Sequence, residues 1–165
     1  MNRNAFLFLL LALFGGTALC AQPSLPSAQV YTLDGKAIDI QDYVRDGRPT
    51  VISFWATWCA PCKKELDALA GLYEQWQQQY DVQVLAISID DRRALPKMAP
   101  MVAAKGWPYT VLTDPEQALK KALNFQAIPQ TFLLDRQGKL GYAHPGSEAG
   151  DEQKLEKALQ ATAGK

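Results

Sequence analysis

The apolar positions change their spacing several times along this chain, and each change marks an element. Thr50-Val51-Ile52-Ser53-Phe54-Trp55 is a nearly unbroken apolar, β-branched and aromatic run. That is the pattern of a strand buried on both faces, as in a parallel sheet. Over residues 61–80 the spacing becomes three and four. Leu66, Leu69, Tyr73, Trp76 and Tyr80 recur with Lys, Glu and Gln between them, which predicts an amphipathic helix. Gln77-Gln78-Gln79 falls on its solvated face. Residues 82–89 read as a second buried strand. Residues 92–105 read as helical, with Pro96 and Pro100 marking a start or a kink. A short strand follows at 109–112. Asp114 is then expected to cap a helix that has Pro115 in its first turn and runs to about Asn124.

Hairpins flank this alternation. Gln29–Thr32 and residues 36–40 enclose Asp34-Gly35, a strong hairpin signal. Residues 131–134 and 140–143 enclose a turn at 135–138. Asp151–Ala163 reads as a closing helix with Leu155 and Leu159 on its apolar side. Strands alternating with helices, then a hairpin and a helix, predict an α/β domain with a mixed sheet and helices on both faces. In such sheets ligands and chemistry gather where a strand's carboxyl end meets a helix.

The first residues follow another pattern. Arg3 supplies a short positive region, residues 6–14 are continuously apolar, Gly15-Gly16 interrupts, and Ala18-Leu19-Cys20-Ala21 offers small residues for cleavage. We read 1–21 as an export signal; the run is short against the ~20 residues of a membrane span. An uncleaved anchor and a lipoprotein signal at Cys20 are the alternatives, the second weakened by Leu19 in place of a small residue. Residues 22–27, rich in Pro and Ser, read as linker, and 28–165 as one domain. The 17 basic and 17 acidic residues balance, so neither nucleic acid nor a polybasic membrane contact is expected as a partner.

Two of the three cysteines form Cys59-Ala60-Pro61-Cys62, at the junction of the Thr50 strand and the helix after it. A helix N-terminus has unpaired N–H groups and a partial positive charge. A thiolate there is stabilised and nucleophilic, and a second thiol one turn on can resolve the mixed disulfide that forms. The pair therefore reads as a redox device. Half of a zinc site is the first alternative, but two cysteines and His144 fall short of four ligands. A structural disulfide is the second, but so small a loop constrains the unfolded chain little. His144, before Pro145, reads as structural or exposed.

Phe54-Trp55-Ala56-Thr57-Trp58-Cys59-Ala60-Pro61-Cys62-Lys63-Lys64-Glu65-Leu66 resembles the active-site segment of the TlpA/ResA-like thioredoxin family, bacterial extracytoplasmic thiol–disulfide oxidoreductases. The likeness continues through Leu33-Asp34-Gly35-Lys36, Val84-Leu85-Ala86-Ile87-Ser88-Ile89-Asp90, Ile128-Pro129-Gln130-Thr131-Phe132-Leu133-Leu134-Asp135, and from Gly138-Lys139 to Gly146. It implies a thioredoxin fold: a central mixed β-sheet flanked by helices, with an N-terminal β-hairpin and a βα insertion. It also implies a redox-active Cys59–Cys62 disulfide, with Cys59 the exposed attacking thiol and Cys62 the buried resolving one. Pro129 would be a cis-proline facing the disulfide, and the Ile128 backbone would pair with substrate as an added strand. Trp58 would pack beside the disulfide or serve as a plain core aromatic. Ala60 and Pro61 would complete the substrate-facing rim.

Cytoplasmic thioredoxins have a buried Asp where this chain has Ser53. Glu65, one turn after Cys62, would move the proton of that thiol or merely support the first helical turn. The expected activity is reduction of protein disulfides in the periplasm or at the outer face of the inner membrane, with no cofactor. A membrane thiol-electron donor would recharge the site, the N-terminus would serve as a tether if uncleaved, and the protein would be a monomer. Apocytochrome c, and hence cytochrome c maturation, is one substrate class among several. The rival readings are a thiol peroxidase of related fold and a non-catalytic peptide-binding module. Trp58-Cys59-Ala60-Pro61-Cys62 disfavours the first, and the intact cysteine pair the second.

Overall fold

The structure is a computed structural model that describes residues 23–163 apart from 45, 147 and 149. The export signal and Cys20 lie outside the described residues. In order, the elements are β1 (Gln29–Thr32), β2 (Ala37–Asp39), α1 (Gln41–Val44), β3 (Thr50–Trp55), α2 (Ala60–Tyr80), β4 (Gln83–Ser88), a 3₁₀ turn (Arg92–Ala94), α3 (Leu95–Lys105), β5 (Thr110–Thr113), α4 (Ala118–Ala122), β6 (Gln130–Leu134), β7 (Leu140–Pro145) and α5 (Asp151–Ala163).

The strands form one mixed sheet in the order β2-β1-β5-β4-β3-β6-β7, flanked by the helices. Every residue of β3 and β4 is buried, as their unbroken apolar runs require. They pair in parallel, as do β4 and β5; the remaining pairs are antiparallel. This is the thioredoxin fold, with β1 and β2 as the added hairpin and β5 with α4 as the inserted βα segment. The apolar stripe of α2 (Leu66, Leu69, Tyr73, Trp76) is buried. Trp55 meets the edge of Trp107 at 5.1 Å, and Tyr73 that of Tyr109 at 5.7 Å. No described helix is long and apolar enough to cross a membrane.

Two local readings change, and one element, α1, lies outside what the pattern predicts. The helix after Asp114 starts at Ala118, because Gln117 adopts a left-handed conformation (φ 53°). Asp114 still caps it from upstream, accepting the N–H groups of Ala118 and Lys120 at 2.8 and 2.9 Å. The single turn α1 is too short to show a period. Its start is marked by Asp39, whose carboxylate accepts the Gln41 N–H at 2.8 Å. Finally, residues 23–25 of the expected linker are docked. Leu25 is only 2% exposed, its N–H donates to Gly138 O, Leu140 N–H donates to Pro23 O, and Ser24 bridges to Lys139. Pro and Ser content reports lost helix and sheet propensity, not lost packing.

Candidate active site

The carboxyl end of β3 passes through a tied loop into α2. Ile89 N–H donates to Trp55 O at 2.9 Å, and Cys59 N–H to Ala56 O at 3.0 Å. Between them Thr57 is clamped by Asp90, a buried carboxylate at the end of β4. Asp90 accepts the Thr57 N–H at 2.7 Å, its hydroxyl at 3.1 Å, and the Ser88 hydroxyl at 2.7 Å. Lys63 closes the loop from α2, its ammonium donating to Thr57 O at 2.8 Å. Cys59 is the extended N-cap residue of α2 and Pro61 lies in the first turn, where a missing N–H is harmless. Cys59 and Cys62 are joined by a disulfide with their Cα atoms 5.4 Å apart. Cys59 Sγ also accepts the Cys62 N–H at 3.3 Å.

Cys62 is 1% exposed and Cys59 5%, so the oxidised Cys59 is less open than expected, its sulfur being drawn in over the helix start. The open rim is Trp58, 69% exposed, together with Ala60 and Pro61, both exposed. An indole that open is not a core aromatic. Across the sheet, β6 is antiparallel to β3 and pairs Phe54 with Gln130. Pro129, just before Gln130, therefore lies at the sheet end from which β3 leads to Cys59. The Ile128–Pro129 bond is cis, and Pro129 O accepts the Gly146 N–H at 2.8 Å.

Glu65 follows Cys62 by one turn of α2, hence on the same helix face. Its Oε1 accepts the hydroxyls of Ser53, at 3.2 Å, and of Thr131. These two face each other in the β3–β6 register. Glu65 Oε2 is buried and has no hydrogen-bond partner among the described residues. Thr131 and Asp90 join the site beyond the residues the sequence pattern predicts. The hydroxyl pair around Glu65 becomes visible only through strand register, whereas an Asp just past a buried strand is a signal the sequence does carry.

Burial pushes the Glu65 carboxyl above the ordinary carboxylate range, outweighing the hydroxyls of Thr131 and Ser53, which favour the charged form. The folded state thus holds the proton more tightly than the unfolded chain does. Stability from this group is complete below the unfolded value of about 4.3 and is lost as pH rises through the folded value. Glu65→Gln keeps an acceptor oxygen for both hydroxyls and removes the charge. We expect the variant to resist urea better than the parent at pH 7.5, with the advantage vanishing in acid. Equal midpoints at pH 7.5, or a gain that grows on acidification, would contradict this.

A thioredoxin fold with a Cys-x-x-Cys disulfide at the start of its long helix defines a thiol–disulfide oxidoreductase. The chain belongs to the AhpC/TSA family, whose family model matches residues 22–143. It is 29% identical over 150 residues to the thiol-disulfide oxidoreductase ResA of Geobacillus thermodenitrificans, covering 84% of this chain and 82% of that protein. It is 33% identical over 133 residues to the thiol:disulfide interchange protein DsbE of Yersinia pestis, covering 79% and 66%. The solution structure of an uncharacterized thioredoxin-like protein from Porphyromonas gingivalis superposes with a TM-score of 0.73 at 34% identity, covering 84% and 91%.

Proposed function

We propose that this protein reduces protein disulfides outside the cytosol through the Cys59/Cys62 dithiol. The observation that supports this reading best is the disulfide at the N-terminus of α2. In the reduced protein the Cys59 thiolate attacks a substrate disulfide. One substrate sulfur leaves and takes up a proton, and the other becomes joined to Cys59. Cys62 then gives its proton to Glu65 and attacks Cys59 Sγ. The Cys59–Cys62 bond forms, the Cys59–substrate bond breaks, and the second substrate sulfur leaves and is protonated. Two electrons have passed to the substrate, and a membrane thiol donor restores the dithiol. The open rim of Trp58, Ala60 and Pro61, with the Ile128 backbone beside Pro129, would hold an extended substrate segment. Thiol proteins of the envelope, apocytochrome c among them, are the substrates this reading implies.

What lies between the cysteines supports the reductive direction. Ala60 and Pro61 have no polar side chain to stabilise the Cys59 thiolate, so its stabilisation falls to the helix terminus. A modestly stabilised reduced form makes a weak oxidant. Equilibration against a glutathione buffer should give a potential nearer the ~−270 mV of thioredoxin than the ~−120 mV of a strong oxidant. Insulin disulfides should be reduced with dithiothreitol as electron source. An oxidant's potential would reverse the direction, and peroxide consumption without insulin reduction would favour the peroxidase reading.

Trp58 separates binding from stability. Its side chain is largely in solvent, so Trp58→Ala should leave the unfolding free energy from a urea titration within ~0.5 kcal/mol of the parent. It should raise KM for a protein disulfide by about tenfold, as for the loss of one aromatic anchor. An unchanged KM would remove Trp58 from the substrate rim.

A further inference from the structure

We propose that His144, oriented by Asp151, is the outlet through which the buried Glu65 exchanges its proton with solvent. This rests on the reading of Glu65 as proton acceptor for Cys62. Each turnover gives Glu65 one proton, which must leave before the next. The carboxylate is fixed on one side by Ser53 and Thr131 and open on the other at Oε2.

Strand register leads from there to the surface. Ser53 of β3 pairs with Thr131 of β6, and Thr131 pairs with His144 of β7. Directly paired residues share a sheet face, with Cβ atoms about 4.5–5.5 Å apart. His144 is thus the next side chain beyond Thr131, and 20% of it is exposed. A half-enclosed cavity joins the two ends. Glu65, Thr131, Tyr142, His144, Asp151 and Glu152 line it, with about 20 Å³ open to the centre of a water molecule. One water needs roughly 10–15 Å³ and two or more polar partners. Glu65 Oε2 and the imidazole are suited to be two of them.

The far end is closed by an ion-pair contact. His144 Nε2 is buried and lies 2.7 Å from Asp151 Oδ2 without the alignment of a hydrogen bond, so the exposed part of the ring is its other side. Asp151 in turn accepts the Glu148 N–H and the Lys154 ammonium. Tyr142 stacks nearly parallel to the imidazole, with centroids 6.3 Å apart. The charged and titratable groups around the cavity are therefore Tyr142 and His144 from β7 and Asp151 and Glu152 from α5, with Lys154 bound to Asp151. During reduction of a substrate the proton passes from the Cys62 thiol to Glu65, through the bridging water to His144, and out to solvent. It runs inward by the same route when the active-site disulfide is reduced and Cys62 regains its proton.

The test is single-turnover oxidation of the reduced protein by a small disulfide, followed by tryptophan fluorescence across pH 5–9 and across buffer concentrations. The parent, Glu65→Gln, His144→Ala and His144→Gln are compared, the last retaining a hydrogen-bonding group beside Asp151. We expect Glu65→Gln to slow the resolving step at least tenfold. Both His144 variants should slow it about tenfold, with an altered pH profile. In His144→Ala the rate should climb back with added imidazole, which does nothing to the parent. A slow Glu65→Gln beside His144 variants of parental rate overturns the outlet and leaves Glu65 as the acceptor. A slow His144→Ala that ignores imidazole while His144→Gln is fully active makes His144 structural and likewise overturns it. An unaffected Glu65→Gln removes the acceptor reading, and the outlet with it.

Discussion

A Cys62→Ser variant should accumulate a mixed disulfide between Cys59 and its substrate instead of releasing reduced product. Cys62 Sγ lies one helical turn from Cys59, close enough for the two to be bonded in the oxidised protein, and on the proposed mechanism it is the sulfur that resolves the adduct. A serine oxygen in that place has neither the acidity nor the nucleophilicity to attack a disulfide sulfur near neutral pH. Turnover of insulin should fall by at least about 10³-fold, the scale of losing a covalent nucleophile. A substrate adduct should survive on a non-reducing gel and disappear with dithiothreitol. Cys59→Ser should lose as much activity and form no adduct, because its remaining thiol is 1% exposed. An adduct on Cys59→Ser and none on Cys62→Ser would exchange the two roles. The trapped adducts would also identify the natural substrates.

Phe54→Ala should cost about 3–5 kcal/mol of stability, the range for truncating a buried phenylalanine. The ring is wholly buried. It lies 4.6 Å from the ring of Phe125 and 6.1 Å, edge-on, from that of Phe132. These three rings join β3, which leads to Cys59, to β6 and the loop that carries Ile128 and Pro129. A small domain has only 5–15 kcal/mol in total, so the urea midpoint should move far to lower concentration. Activity per folded molecule should fall too, because the cavity left behind loosens both sides of the site at once. A loss below ~1 kcal/mol would mean that the three rings repack without Phe54.

What the sequence made legible follows how local each cause is. The strand–helix junction at Cys59 could be read because an apolar run and a helical stripe meet there within a dozen residues. The α4 start was misplaced because it turns on one left-handed residue, Gln117, a conformation for which glutamine has no marked preference. The surroundings of Glu65 were not legible. Ser53, Thr131 and His144 come from three segments that only strand register unites. The same limit applies to His144, which the sequence offered as a structural or exposed residue with no hint of the cavity behind it. The closed-in state of the disulfide-bonded Cys59 is not legible for a different reason: the pattern of residues is the same whether the two sulfurs are bonded or free.

The docked segment before β1 has a geometric consequence. It is pinned to the turn between β6 and β7, and Leu134, the last residue of β6, pairs with Thr50, the first of β3. Pro23 and Leu25 are therefore fixed at one pole of the sheet while Trp55 leads to the disulfide at the other, six strand residues away or roughly 20 Å. Anything attached ahead of Pro23 grips the domain from behind. On a membrane surface such a stalk would aim the reactive face outward, leaving large partners room to approach without tilting the domain or lengthening its leash.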